Sequence, residues 1–208
     1  MLDQGFVVPY LEYSRLGEFA EGVIAKHHPS RELPIPVEDI IDKKLGIDVF
    51  PLPGLTKAFS ADGTDGIVAF VNSSLDMITV DHDAWEAQTT RYRFSIAHEL
   101  AHVVVHSAIF SKLSFDTLGR WKQAMKAMPV RHYMSLEWQA NAFAEHLLVP
   151  TTELRVHLAG FVGEIKKLGM DPRDDAIRLL VEKRLGDLFR AHSSVVYRRI
   201  ERERLLLA

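Results

Sequence analysis

The stretch His98-Glu99-Leu100-Ala101-His102 constrains this chain more than any other. On an α-helix, residues i and i+4 stand one turn apart on one face, so both imidazoles reach a single cation from one rigid element. Glu99 follows His98 by about 100° around the axis. It is badly placed to join them as a ligand and well placed to hold a polarised water and take its proton, the part of a general base. The flanking runs Tyr92 to Ala97 and Val103 to Val105 contain neither Gly nor Pro, and their apolar residues suit a helix through a core. The spacing therefore predicts a buried helix that continues past Val105. A core helix with two satisfied histidines is the plain alternative. Two imidazoles and a carboxylate buried together without a partner are costly, which favours a bound cation.

Composition narrows what that cation can be and where the chain works. With 208 residues, 47% of them hydrophobic, there is ample material for a packed core. One domain over 1–208 is expected, with 171–208 as a helical C-terminal extension. The balance of 25 basic and 28 acidic side chains, net −3, gives no whole-chain attraction to nucleic acid or membrane. Cys is absent, so a metal must be held by His and carboxylates. The first residues lack the basic and apolar regions of a secretion signal, and no run approaches the roughly 18 apolar residues of a membrane span. A cytoplasmic setting is expected.

Hydrophobic spacing predicts a helix over 11–26, interrupted by Pro29, Pro34 and Pro36, then a short helix over 37–45 closed by Gly46 and a strand over 47–50. A turn at 61–65 precedes strand-like runs at 66–71 and 77–80, read together as a small antiparallel three-stranded sheet. The His98 helix begins either at an acidic capping box, Asp83 to Glu86, or near Thr90. A short helix over 119–128 stops before Pro129, and Ser135 can cap a helix that Pro150 ends. Short helices follow from Thr152 to Gly160, from about Pro172 to Arg184 behind Asp171, and as a pair over 185–200.

Two histidines on one helix need a third protein ligand, commonly a Glu from a later helix, and Glu137 is the candidate. The run Arg91-Tyr92-Arg93-Phe94-Ser95-Ile96-Ala97-His98-Glu99-Leu100-Ala101-His102, followed by Glu137, Ala140-Asn141, Phe143-Ala144 and Leu147-Leu148-Val149-Pro150, resembles the ImmA/IrrE family of metallopeptidases. The resemblance extends over most of the chain from about Pro36. It implies an α+β fold with a zincin-like core, and a protease whose best-known relatives cleave helix-turn-helix repressors. By position it makes His98, His102 and Glu137 the metal ligands and Glu99 the catalytic carboxylate. Ala101 stands where the family often has Gly, and a helix accepts Ala at least as well. Zn2+ is the expected metal, with Mn2+ or Fe2+ suited to the same donors.

Asn141, one turn beyond Glu137, can hydrogen-bond the distal nitrogen of a ligating His. Other candidates are weaker. His106 is one turn beyond His102, but three donors along one straight helix are nearly collinear and suit no tetrahedron, so it is expected to be packed or to hydrogen-bond a ligand rather than to bind the metal. His132 and Tyr133 could donate to a developing oxyanion, and Glu145, near the end of its helix, is placed for solvation rather than ligation. The tail from 181 to 208 has seven Lys/Arg against four Asp/Glu and a helix-turn-helix-like pattern. Its apolar Val195, Val196 and Ile200 need burial, so a hairpin packed on the core is expected rather than direct nucleic-acid binding. The expected activity is metal-assisted peptide hydrolysis of a protein substrate, a helix-turn-helix repressor by resemblance. The rival is a DNA- or protein-binding regulator with a structural or silent metal site.

Overall fold

The computed structural model describes residues 7–60, 68–87, 89–113, 115 and 117–205. The turn expected at 61–65 and the start of the second expected strand, 66–67, lie outside them. Helix α1 (Tyr13–His27) turns Leu16, Ala20, Val23 and Ile24 inward. The short α2 (Val37–Asp39) runs on as a π-helical turn (Ile40–Lys44), after which Gly46 takes a left-handed φ of 66° and releases the chain into β1 (Asp48–Leu52). Helix α3 (Leu55–Ser60) follows, then β2 (Ala69–Val71) and β3 (Met77–Asp81).

The α+β class and the three strands are as expected, but the sheet is mixed rather than antiparallel. Its order is β1-β3-β2. Strands β2 and β3 form the expected antiparallel pair, with Ala69 opposite Val80, whereas β1 runs parallel to β3, with Asp48 opposite Met77. The reason is topological. The chain leaves β1 through α3 and comes back at the far edge, so β3 returns into the gap between them. Two reversals of direction make β3 parallel to β1. This leaves β2 as an edge strand.

Helix α4 (His82–Ala87) is separate from α5 (Thr90–Val104), which begins where Thr89 accepts from Tyr92 N at 3.1 Å. The cap of α4 is Asp81, whose Oδ1 accepts from Asp83 N and Ala84 N, not Asp83. Helix α5 buries Tyr92, Ile96, Ala97, Leu100 and Ala101, and each larger side chain there contributes roughly 1.5–3 kcal/mol. It ends at Val104, earlier than its spacing predicted, and α6 (Ser107–Phe110) and α7 (Leu118–Ala127) follow.

Helix α8 (Val130–Leu148) starts earlier than the Ser135 cap implied. Pro129 stops α7, yet its extended backbone also serves as the N-cap of α8, so Ser135 lies inside the helix. Helix α9 (Thr151–Lys167) passes through Gly160 and stops only at Gly169, where φ is 74°. Helix α10 (Asp175–Phe189) is capped by Asp174, which accepts from Ala176 N and Ile177 N, and it absorbs the first of the two short helices expected over 185–200. Helix α11 (Ser193–Arg202) follows.

Val195, Val196 and Ile200 of α11 are buried in the main core with α1, α5 and α8. Arg199, with no exposed surface, donates to Val149 O (3.0 Å), Tyr13 Oη (2.9 Å), Glu203 Oε1 (2.9 Å) and Thr151 Oγ1 (2.6 Å). A buried guanidinium is tolerable only when its donors are satisfied in this way. Burial, with Arg199 beside it, pushes His146 down to about 3, so that ring is neutral. Among the described residues, no helix is long and apolar enough to cross a membrane.

Helix α1 meets α8 closely at Gly17, where a Cβ would lie 2.7 Å from the His146 ring. Gly17→Ala is expected to cost about 1–3 kcal/mol through overpacking. Gly22→Ala, in the same helix with nothing described within 4 Å of its Cβ position, is expected to gain about 0.4–1 kcal/mol. Chemical denaturation of the two variants checks the contrast. Equal effects would contradict the close approach.

Candidate metal centre

Helix α5 lies between β2 and α8, and the polar face of its His98 turn opens into a cleft of about 320 Å³. The sequence motif is helical here, as its spacing required. Donor atoms of His98, Glu99 and His102 lie within 4.8 Å of one another. Glu137, on the facing turn of α8, brings Oε2 to 3.3 Å from His98 Nε2. Its helical neighbour one turn on, Asn141, places Oδ1 3.0 Å from His98 Nδ1. The two nitrogens of His98 therefore face different partners, Nδ1 the amide and Nε2 the cleft.

Glu99 is held from the sheet. The antiparallel register turns Val68, Phe70 and Asn72 toward β3, leaving Ala69 and Val71 with their backbone polar groups facing outward. Val71 N donates to Glu99 Oε2 at 2.8 Å. An edge-strand N–H is thereby satisfied, and the carboxylate is fixed beside the two histidines.

Val105 breaks α5 before the next turn, so His106 is not a third donor along a straight helix. It occupies the N-cap position of α6 with φ −110° and ψ 12°, and its Nδ1 lies 3.0 Å from His102 Nδ1. Its other nitrogen lies 3.0 Å from Gln139 Oε1. Gln139 was not singled out from the sequence, since a glutamine two residues after Glu137 reads as a surface residue, yet it has no exposed surface.

The remaining candidates separate. Tyr133 lines the cleft with Arg91, Phe94, Phe110, Trp121 and Met125, whereas His132 Nδ1 accepts from Val8 N at 3.3 Å. Glu145 is buried at the far end of α8, accepting from Tyr13 Oη, Arg198 and Arg202. It is committed to ion pairs there.

Electrostatics follow from crowding these groups into a partly buried cluster. Burial works against a charged His98, but the charge and hydrogen bond of Glu137, with Glu99 and Asn141, outweigh it and take the ring up to about 9. Burial pushes Glu99 up to about 8 against the pull of His98 and the Val71 N–H. Burial also holds His102 well below its ordinary value and His106 down to about 4. Burial, with Glu137 and Glu99 adding, raises the Tyr133 phenol to about 12, so it keeps its proton.

The spacing of His98 and Glu137 fits two donors of one tetrahedral dication. Donors bound at about 2.0–2.1 Å and a tetrahedral angle stand about 3.3–3.4 Å apart, which is the His98 Nε2 to Glu137 Oε2 separation of 3.3 Å. A paired-histidine helix packed on an edge strand, with carboxylates converging from two elements, is an arrangement suited to a metal-dependent hydrolase. The family model for the IrrE N-terminal-like domain matches residues 43–201, and the chain belongs to this family of metallopeptidases. None of the curated proteins matches the chain.

Cation binding should release protons. In the metal-free chain at pH 7, His98, taken up to about 9, and Glu99, taken up to about 8, are protonated, and ligation needs a neutral ring. Apparent affinity is expected to rise with pH through that range and flatten above it. Calorimetric titration with Zn2+ at pH 7 in buffers of different ionisation enthalpy should show net proton release. Heats independent of the buffer would contradict this electrostatic account.

Proposed function

We propose that the chain is a single-domain, cytoplasmic, zinc-dependent endopeptidase that cleaves a helix-turn-helix transcriptional repressor. The observation that carries the metal reading is the approach of Glu137 Oε2 to His98 Nε2 across two helices, 3.3 Å apart, on the same His98 whose donor atoms lie within 4.8 Å of those of Glu99 and His102. His98, His102 and Glu137 would hold the ion, leaving one position open. Manganese or iron would suit the same donors, and zinc is preferred on the family resemblance. The repressor rests on the family resemblance.

Bound zinc would acidify water and polarise the scissile carbonyl. Glu99, fixed by Val71 N, takes the proton of the attacking water and returns it to the leaving amine. Tyr133, which keeps its phenolic proton, donates to the carbonyl oxygen as charge develops there. Asn141 Oδ1 orients His98 through Nδ1. The substrate backbone lies along β2, where Ala69 turns its N–H and C=O away from β3 at the wall of the cleft. Phe94, Phe110, Trp121 and Met125 give the cleft an apolar wall for a side chain.

Glu99→Gln is expected to keep stoichiometric zinc and lose at least about 100-fold in cleavage rate. The assay mixes the zinc-loaded protein with a helix-turn-helix repressor encoded in a neighbouring reading frame, and reads fragments by mass spectrometry. Undiminished cleavage by this variant would sink the general-base assignment. Tyr133→Phe is expected to lower kcat by about 100-fold or more with little change in KM. A change confined to KM would make Tyr133 a binding residue only.

A further inference from the structure

A line of hydrogen bonds runs from a backbone carbonyl at the start of the described chain to His102. The carbonyl of Pro9 can only accept, and Gln139 Nε2 lies 2.8 Å from it. The amide nitrogen of Gln139 must therefore face Pro9. Its second N–H points to Ser135 Oγ, 3.1 Å away. Gln139 Oε1 is then left facing His106 Nε2 at 3.0 Å. An amide oxygen carries no proton, so the proton of that bond sits on His106 Nε2.

The consequence passes through the ring. A neutral imidazole protonated at Nε2 has a bare Nδ1, and His106 Nδ1 lies 3.0 Å from His102 Nδ1. The proton between those two nitrogens therefore belongs to His102. With its proton on Nδ1, His102 turns a bare Nε2 toward the cleft, which is the form a metal ligand needs. Gln139 has no exposed surface and His106 is 1% exposed, so no bulk water competes for these bonds. The break of α5 at Val105 is what lets the His106 ring come back beneath His102, with ring centroids 5.1 Å apart.

We propose that His106 and Gln139 are positioning residues that fix the tautomer of His102, with the Pro9 carbonyl as the fixed end of the relay. The inference rests on the reading of His102 as a metal ligand and adds to it two residues that touch neither ion nor substrate. It also gives a reason for a fully buried glutamine, whose amide would be costly in a core without these partners. His98 is oriented by a single amide, Asn141, whereas His102 is oriented through a second imidazole.

The test needs the full-length chain, metal-free and labelled with 15N-histidine. Long-range 1H–15N correlation at pH 7.5 reads which ring nitrogen carries each proton. His102 is expected to be protonated on Nδ1 and His106 on Nε2. A wild-type His102 protonated on Nε2, or divided between both forms, would overturn the relay without any variant. In Gln139→Met, which keeps the bulk and removes the amide, both rings are expected to populate two tautomers. Zn2+ affinity, read by competition with a chromophoric chelator, is expected to fall about 10–100-fold. Unchanged tautomers and unchanged affinity in a folded Gln139→Met would also overturn it. Failure of the underlying metal reading looks different. Wild-type chain that shows the stated tautomers but binds no Zn2+ would retain the order of the hydrogen bonds and remove their purpose.

Discussion

The packing of α5 against α8 is the contact on which everything else in the site depends. Neither helix carries a complete centre. His98, Glu99 and His102 come from α5, while Glu137, Asn141 and Gln139 come from α8; His98 and His106 take their partners from α8, and His102 takes its partner from His106. A slip of one residue between the helices would part His98 from both Glu137 and Asn141 at once. The apolar residues that prevent the slip are on the same turns: Ile96, Leu100 and Ala101 on α5, and Leu136, Ala140 and Phe143 on α8.

Around that contact, the protein accommodates an unusual amount of buried charge by giving each group a fixed partner. Among the described residues, no buried side-chain nitrogen or oxygen lacks a hydrogen bond. Arg93, 2% exposed, is clamped by both oxygens of Glu38 at 2.7 and 2.6 Å and by the carbonyls of Ile35 and Arg190. It ties the start of α5 to the Pro-rich linker and to the end of α10. Arg199 does the same for α11 at the C-terminal end of α8. Truncating one partner of such a pair costs about 3–5 kcal/mol because the other charge is stranded. These ties hold the start of α5 and the C-terminal end of α8.

Legibility in the sequence tracked how local each feature is. The His98 helix, the Gly46 stop and the β2–β3 pair follow from spacing within a dozen or so residues, whereas the start of the His98 helix stayed open between Asp83 and Thr90, and the sequence motif shared with the family located Glu137 and Asn141 on one helical face. The parallel placement of β1 was not legible, because it depends on where the chain lands after α3 rather than on any strand residue. Helix boundaries slipped where one residue does two jobs: Pro129 ends α7 and also opens α8, and Gly160 looks like a stop but is tolerated inside α9. Gln139, and the contact through which it meets His106, were hidden for a related reason. Their roles appear only after α5 breaks at Val105, and nothing in the pattern Val103-Val104-Val105 announces that break.

X-ray absorption on the full-length chain loaded with one equivalent of Zn2+ tests the central claim most directly. The account predicts a four-coordinate ion with two imidazole nitrogens and two oxygens at about 2.0–2.2 Å. It also predicts that Glu137→Ala removes one of the oxygens from the shell, or empties the site, and leaves both imidazoles as the only ring donors. A shell of three imidazoles would place His106 on the metal, and a shell unchanged in Glu137→Ala would remove the ligand that joins α8 to α5. Either result would contradict the centre described above.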